Sequence, residues 1–279
     1  MEDNNTLIET LCFNNQIEQF QPNIDYNVFM IPKILEIKSN NNNNIFDINK
    51  IKNVNINIIL NNFIIMSIPL EFFINFYNYE LNNSNLIIPL NFEMFLPEVI
   101  FNFKVNKVNF EISNFDDLVD YSVIMKIALL KTDKKIQHDV IYQYIQTKSI
   151  DNINVMNVNT NANFNLLIKG FFIKCNVDEL TNFKLLFNNH HCRFDYDEIL
   201  LNTICKKITN TLLYVPFNIN IKINDCNKNS FYSALYGSRI DNMKFMLKFN
   251  NIQDSITIFA LSANYIKSHN DVLSMIYSL

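Results

Sequence analysis

Glycine is nearly absent from this sequence, because only Gly170 and Gly237 occur in 279 residues. A phosphate-binding loop of the Walker or Rossmann type needs several glycines at fixed spacing, so the composition excludes both. Hairpins also need residues with positive φ, which asparagine tolerates at lower cost than most other residues. The sequence therefore predicts that asparagine occupies most of the positive-φ turn positions.

Cysteine and charge are also sparse, and each shortage argues against a class of function. The five cysteines are odd in number and contain no Cys-x-x-Cys pair, which argues against a disulfide framework and a zinc ribbon. Only 18% of the residues are charged, and the net charge is -4. Phosphate binding needs clustered Lys and Arg, so we do not expect a direct role in binding nucleic acid.

No segment of the chain has the pattern of a signal peptide or a membrane span. The apolar stretch at 63–73 is interrupted by Pro69 and Glu71, and it is shorter than the roughly 20 residues that span a bilayer. We therefore expect no transmembrane segment, and cysteines that remain reduced in a cytosolic compartment.

Alternation of apolar and polar residues with a period of two predicts β-strands in three places. It occurs at 217–223, at 243–249, and at 101–105 followed by 108–112. The last pattern changes phase at Asn106 and its neighbour, which predicts a bulge or a tight turn. Three such runs predict a mainly all-β fold.

Other patterns predict the connections. Apolar residues with helical spacing at 133–146 predict one short connecting helix. The asparagine-rich stretches at 40–44 and 151–163 lack a sustained apolar face and are predicted to be loops. The second loop divides the chain into predicted domains 1–150 and 151–279.

Several short motifs occur in an order typical of one protein family. Ile-Pro-Leu-Glu-Phe-Phe at 68–73 is followed by Pro-Leu at 89–90, Leu-Leu-Lys-Thr-Asp-Lys-Lys at 129–135 and Ser-Arg-Ile-Asp-Asn at 238–242. Together these motifs resemble the major capsid protein of nucleo-cytoplasmic large DNA viruses, a double jelly roll. The structural signature residues of this resemblance are Pro69, Phe73, Pro89, Leu90, Ser238, Arg239, Asp241 and Asn242.

The resemblance implies an all-β jelly-roll sandwich, with an incomplete first jelly roll, a complete second one and few short helices. Residues 7–18 resemble a strand from the middle of the family's first barrel. The alignment of motifs therefore predicts a truncated or divergent paralogue that lacks about half of that barrel. Such a chain would expose an open sheet edge, which a partner must cover or the first lobe must rearrange to close.

The function implied by the resemblance is structural. Members of the family build icosahedral capsids by self-association, so we expect a homotrimer or co-assembly with a full-length capsid protein. Assembly would take place in the host cytoplasm, and the protein would be located in the virion. The resemblance implies no catalytic residue, no cofactor and no metal.

Three alternatives remain open. One is a transient scaffold of immature virions, and another is a degenerate fragment that does not assemble. The third is a β-barrel binding module or hydrolase that uses His190, His191 and Cys192. Adjacent histidines on a strand point to opposite faces, which argues against a tetrahedral metal site. The carboxylates near candidate turns are predicted to be solvated, and they are Asp116, Asp117, Asp120, Asp195, Asp197 and Glu198.

Overall fold

A computed structural model of the chain has two compact units. One consists of Met1–Gln143 together with Asn264–Leu279, and the other is Tyr144–Ala263. The predicted domains assigned every residue after 150 to the second domain, whereas the last residues of the chain belong to the first unit. The structure describes residues 6–40, 51, 53–76, 80–82, 85–90, 99–118, 120–135, 139–188, 191–217 and 235–275.

The first unit consists mainly of strands, with the single short helix α1 (Leu70–Phe76) among its described residues. The strands Asn85–Pro89 and Val108–Ile112 alternate buried and partly buried residues throughout, as expected for sheets with one face on a core. In chain order the strands are β1 (Thr6–Phe13), β2 (Ile17–Phe20), β3 (Val28–Ser39), β4 (Asn55–Leu60), β5 (Phe63–Pro69), β6 (Glu80–Asn82), β7 (Asn85–Pro89), β8 (Ile100–Phe101), β9 (Val108–Ile112) and β10 (Tyr121–Lys131).

Eight of these strands pair in the order of a jelly roll. One sheet has the order β1-β10-β3-β7, with β6 beyond β7 and β8 on β3, and the other has the order β2-β9-β4-β5. The pairs are antiparallel, and consecutive strands lie in alternate sheets at the start of the unit. Two such sheets enclose one core. The predicted all-β, jelly-roll class is therefore confirmed.

The expected gap in the first jelly roll is the one part of that expectation that is wrong. The motif comparison placed residues 7–18 in the middle of the barrel, whereas β1 and β2 are its opening strands and pair with β10 and β9. Several connections are very short, such as 14–16 between β1 and β2 and 61–62 between β4 and β5. Both four-stranded sheets are present among the described residues.

The remaining strands include two that are unusually long, β11 and β18. The unit boundary falls within each of these two strands. The elements are β11 (Asp139–Ala162), β12 (Leu167–Lys174), β13 (Leu180–Phe187), β14 (His191–Asp197), α2 (Glu198–Ile204), β15 (Lys206–Thr209), β16 (Leu212–Pro216), β17 (Leu235–Tyr236), β18 (Met243–His269) and β19 (Val272–Met275).

Strand β18 organises the second unit because its successive parts pair with different strands. Residues 243–249 pair with β13, which pairs in turn with β14, and residues 257–263 pair with β12. The order β11-β18-β12-β16 repeats the sheet order of the first unit. The second unit is therefore also a jelly roll. Phe171 lies at its centre, with ring centroids 4.9 Å from Phe245 and 5.1 Å from Phe217 in edge-to-face contacts.

The predicted strands had mixed outcomes. The strand predictions for 108–112 and 243–249 are confirmed by β9 and β18. The strand predicted at 101–105 is wrong beyond Phe101, because the amides of Val105 and Asn106 both donate to the carbonyl of Asn102 and form the tight turn there. The strand predicted at 217–223 lies outside the described residues, except for Phe217.

Two predictions are overturned by β11. Residues from Asp139 onward form this strand, so the helix predicted at 133–146 is wrong, and so is the loop predicted at 151–163. Within the latter stretch Val158 and Ala162 are buried, whereas the asparagines at 157, 159 and 161 are exposed. Pairing with β18 outweighs the low strand propensity of asparagine. The loop predicted at 40–44 lies outside the described residues beyond Asn40.

Asparagine supplies most of the described positive-φ positions, as predicted, and neither glycine has positive φ. In the loops 61–62 and 270–271, both central residues have positive φ. These are two-residue hairpin turns of the type that normally favours glycine. The non-glycine residues with positive φ are Asn61, Asn62, Asn114, Asn154, Leu166, Asn188, Asn270 and Asp271.

Three turns of the first unit are joined by an asparagine cluster, which we define as Asn61 and Asn106 with their partners. Asn106 is buried, and its Oδ1 accepts from the amide of Leu273 at 3.0 Å while its Nδ2 donates to the carbonyl of Asp271 at 3.1 Å. The Nδ2 of Asn61 donates to the carbonyl of Leu273 at 2.9 Å. The β18–β19 hairpin is therefore fixed to the first jelly roll by amide side chains.

We expect Asn62→Ala to lower the free energy of unfolding by about 1 kcal/mol, because alanine strains at the φ of 73° that Asn62 adopts. Asn62→Gly should keep or raise the stability, since glycine adopts this conformation freely. Chemical denaturation of both variants measures the difference. Equal destabilisation by alanine and glycine would contradict the turn assignment.

Asn106→Leu should lower the free energy of unfolding by about 1–3 kcal/mol, because it leaves the buried amide of Leu273 without its acceptor. Hydrogen exchange should accelerate at Leu273 more than in β10. The control is Asn109→Leu on the neighbouring strand β9, where the side chain makes none of these bonds. Unchanged exchange at Leu273 in the Asn106 variant would show that the cluster does not hold the hairpin.

Candidate assembly surface

The signature residues of the first unit lie at the ends of strands, directly after a strand or on the helix. Pro69 ends β5 and is buried, and Phe73 is buried on α1. Pro89 ends β7, and the following Leu90 is buried with its amide donating to the carbonyl of Lys33 at 2.7 Å. These residues fix the ends of two strands and the helix between them, and their burial keeps most of them away from any partner.

The signature turn of the second unit depends on a close backbone approach. The amide of Gly237 donates to the carbonyl of Leu166 at 2.8 Å, and the amide of Leu166 donates to Oγ of Ser238 at 3.1 Å. A Cβ at position 237 would lie 2.3 Å from the carbonyl oxygen of Phe164. Only glycine fits at this position without backbone movement. Ser238 and Gly237 together anchor the turn that precedes β18.

Arg239 and Asp241 do not form the ion pair that their spacing allows. The guanidinium of Arg239 instead lies over the ring of Tyr236, 5.0 Å from its centroid. The amide of Asn242 donates to Oδ1 of Asn188 at 3.2 Å, and the amide of Asn188 donates to the carbonyl of Asn242 at 2.8 Å. This reciprocal pair joins the end of β13 to the start of β18, so Asn242 fixes the backbone position at which β18 begins.

An open polar cavity of about 590 Å³ borders this turn. Its lining includes Asp241 and Lys148, together with Gln146 on β11. Both polar atoms of the Gln146 side chain form hydrogen bonds within the protein. Its Nε2 donates to Oγ of Ser262 at 2.7 Å, and its Oε1 accepts from the amide of Asn165 at 2.8 Å. Gln146 thus ties β11 to β18 and to the turn after β11.

The candidate zinc or nucleophile site is not assembled in the described part of the chain. His191 and Cys192 are exposed neighbours on β14, and the thiol of Cys192 donates to the carbonyl of Phe194 at 3.4 Å. His190 lies outside the described residues. Within the described ranges, no three His, Cys, Asp or Glu side chains converge as metal ligands would.

The nearby carboxylates have structural partners. The ammonium of Lys184 contacts Asp195 at 2.9 Å, and this hydrogen bond lowers the pKa of Asp195 and raises that of Lys184. Asp197 accepts from the amide of Leu200 at 2.9 Å and caps α2. These contacts organise a strand pair and a helix start, a different role from proton transfer.

The other predicted carboxylate group also lies in turns. Asp116 and Asp117 are in the 3-10 turn Phe115–Leu118. Asp120 is exposed in the turn before β10, where its carbonyl accepts from the amide of Asn40 at 3.0 Å. This placement agrees with the predicted turn between strands.

The buried thiol of Cys175 and the half-buried thiol of Cys205 have low reactivity. Burial raises the pKa of Cys175 to about 12, and it raises the pKa of Cys205 to about 12 as well. Both therefore remain protonated at neutral pH and are poor nucleophiles. Cys12 and Cys192 are the exposed thiols of the described chain.

Three neighbouring turns of the first unit each carry an exposed apolar side chain, and we define Phe63, Val105 and Val272 as the turn patch. Their exposed fractions are 50%, 44% and 41%. Each lies within two residues of a member of the asparagine cluster, which brings the three turns together. Clustered apolar groups on a surface are typical of interaction sites.

A second apolar site lies on α2. Ile199 is 74% exposed and Leu200 is also exposed, while Leu201 is buried and holds the helix to its unit. The Asp197 cap fixes the start of the helix, so Ile199 is presented from a defined position. The sequence did not predict α2, because a helix of seven residues is too short to show a clear helical spacing of apolar residues. It did not predict the turn patch, because in a sequence with so many apolar residues the exposed ones cannot be told from the buried ones.

No protein-family model matches the sequence, and no curated protein is significantly similar to it. Solved structures are similar in fold. A chain of the PBCV-1 virus capsid quasi-atomic model matches with a TM-score of 0.61 at 13% identity, covering 99% of this chain and 97% of that one. PBCV-1 VP54, fitted into a reconstruction of the virophage Sputnik, matches with a TM-score of 0.61 at 12% identity and the same coverage.

A chain of Sulfolobus turreted icosahedral virus is more distant, with a TM-score of 0.51 at 10% identity, covering 92% of this chain and 90% of that one. The described residues contain no helix long and apolar enough to cross a membrane. The match along both units agrees with the strand order found in each. The chain has the double jelly-roll fold of these virus capsid proteins.

Proposed function

We propose that this chain is a virion structural protein that builds an icosahedral shell by associating with copies of itself, without catalysis or a cofactor. The observation that carries the proposal is the presence of two jelly rolls in one chain, matched along 99% of its length by a chain of a virus capsid. Proteins of this kind act through shape and contact. The buried signature residues and the capped helix serve that role by keeping surfaces rigid.

The preferred assembly is a homotrimer. Two similar lobes in each chain give six lobes in a trimer, which approximates a hexagonal tile for a closed shell. Because the first jelly roll has both of its sheets, no partner is needed to complete it. This favours self-association over co-assembly with a longer capsid protein. We take the two units as the two lobes.

The apolar sites provide anchors for the contact. A ring of identical copies joins two different surfaces of neighbouring chains, so one exposed apolar site meets another region of the next copy. Ile199 is the most exposed large apolar side chain of the described residues, and its helix is capped and packed. We propose α2 as one side of the trimer contact, with the turn patch as the second apolar anchor.

We place the protein in the virion, after assembly in the host cytoplasm. A transient scaffold of immature particles is the nearest alternative, since it would use the same fold and differ in being shed. A hydrolase or binding module at His191 and Cys192 is a weaker alternative, because their described neighbours do not form a ligand set. Stoichiometric zinc in the purified protein would favour that reading.

The purified chain should have the mass of a trimer in native mass spectrometry and sedimentation at micromolar concentration. A trimer stable to dilution supports the shell proposal, because the proposed hexagonal tile is a trimer of this chain. A protein that remains folded and monomeric at all accessible concentrations would refute the homotrimer.

Ile199→Asp should weaken trimer formation by about tenfold or more, since a charge would be buried without a partner in the contact. The control is Asn202→Asp, which adds the same charge to an exposed position of the same helix. Sedimentation of both variants measures the association, and circular dichroism checks that α2 and the strands persist. Equal association of the two variants would exclude α2 from the contact.

A further inference from the structure

Strand β1 is an open edge of the first unit. It ends its sheet and pairs with β10 through all of its residues, Thr6 to Phe13, without a register shift. Its other edge has no partner strand among the described residues. Ile8 is 66% exposed, and Leu7, Thr10 and Cys12 are exposed as well. Within the part of the chain that the structure describes, the outer backbone groups of β1 are thus available to another strand.

The other sheet edges of the described chain have the features that prevent strand addition, and β1 does not. Strands β6 and β2 are only three and four residues long. Strand β15 has Lys206 and Lys207, and β14 is interrupted by a bulge and contains Arg193. Strand β1 reads TLIETLCF, with no lysine, no proline and no bulge over eight residues. A long, regular and apolar edge of this kind is a template for pairing.

We infer that β1 pairs antiparallel with β1 of a second copy of this chain, so that two sheets become continuous across a twofold axis. An identical strand matches β1 in length and in its alternation of side chains. A twofold contact of this type uses the same surface on both copies and closes at two chains. Backbone hydrogen bonds supply the attraction, as in other cases of strand addition.

The charge of Glu9 selects the register. In an antiparallel pair, two opposite residues have their side chains on the same face of the sheet. When a twofold axis relates two identical strands, opposite residues therefore differ by an even number of positions. The axis then passes through the same residue of both strands. An axis at Glu9 would place two carboxylates opposite each other, which is unfavourable. An axis at Thr10 avoids this and still pairs nearly the whole strand. The opposite residues are then Thr10 with Thr10, Ile8 with Cys12, Leu7 with Phe13, and Glu9 with Leu11.

This contact is separate from the proposed trimer. It arises from the edge chemistry of β1 and would form whether or not the protein enters a capsid. A ring of three copies uses two different surfaces, whereas the β1 contact joins two identical ones. In a shell of trimers, β1 pairing would connect one trimer to the next.

The experiment is disulfide trapping with Thr10→Cys in a Cys12→Ser background. Mild oxidation with copper phenanthroline and air joins two thiols into one disulfide, with two electrons and two protons passing to oxygen. Opposite residues of neighbouring strands have Cβ atoms about 4.5–5.5 Å apart, close enough to bond after a small adjustment. We expect a covalent dimer that mass spectrometry assigns to position 10.

The matched control is Thr6→Cys in the same background, because position 6 lies beyond the paired region opposite residue 14. The native Cys192 is an exposed internal control on another edge. Trapping at position 10 but not at position 6 or Cys192 supports the pairing and its register. Equal trapping at positions 6 and 10 indicates random collision and overturns it, as does no trapping at position 10.

A charge test gives an independent reading without oxidation. Thr10→Lys places two lysines opposite each other at the axis and should weaken the β1 contact by about two- to fivefold, whereas Thr6→Lys should not. Sedimentation measures both variants. Equal association overturns the pairing. If the protein forms trimers but does not cross-link at position 10, the β1 pairing is refuted and the homotrimer stands. If it cross-links at position 10 but forms no trimers, the homotrimer is refuted and the β1 pairing stands.

Discussion

The fold depends on reversing the chain tightly and repeatedly with almost no glycine. A jelly roll needs a turn after nearly every strand, and the hairpin turns at 61–62 and 270–271 place both central residues at positive φ. Asparagine meets this demand at lower steric cost than most residues, and its side chain can also form hydrogen bonds. Asn61 does both, since it bends the backbone and bonds to a second hairpin. The same residue type thus makes the turns and joins them.

Strand β18 pairs with several strands that are far apart in the sequence. It pairs first with β13, then with β12, and finally with β19 in the first unit. A single continuous strand therefore completes both sheets of the second jelly roll and ends on the asparagine cluster. The close approach at Gly237 sets where this strand starts. The turn at 238–242, which was identified from the sequence, therefore lies directly before the strand that pairs with most of the second unit.

Sequence alone predicted the fold class, the asparagine turns and strands such as 243–249, because period-two patterns and backbone sterics are local properties. It failed at β11, where exposed asparagines hid a strand that depends on pairing with β18. It also assigned residues 7–18 to the middle of the first jelly roll, because short motifs do not show which strands of the barrel they belong to. The exposed apolar sites could not be predicted, since Ile199 and a core isoleucine look alike in sequence.

A shell protein needs rigid lobes with selected apolar contacts, and the capped α2, the turn patch and the open edge of β1 fit that need. The most direct test of the structural role is quantitative mass spectrometry of purified mature and immature virus particles. We expect many copies of this chain in mature particles, in fixed proportion to the other shell components. Presence only in immature particles would indicate a scaffold, and absence from both would contradict the capsid role.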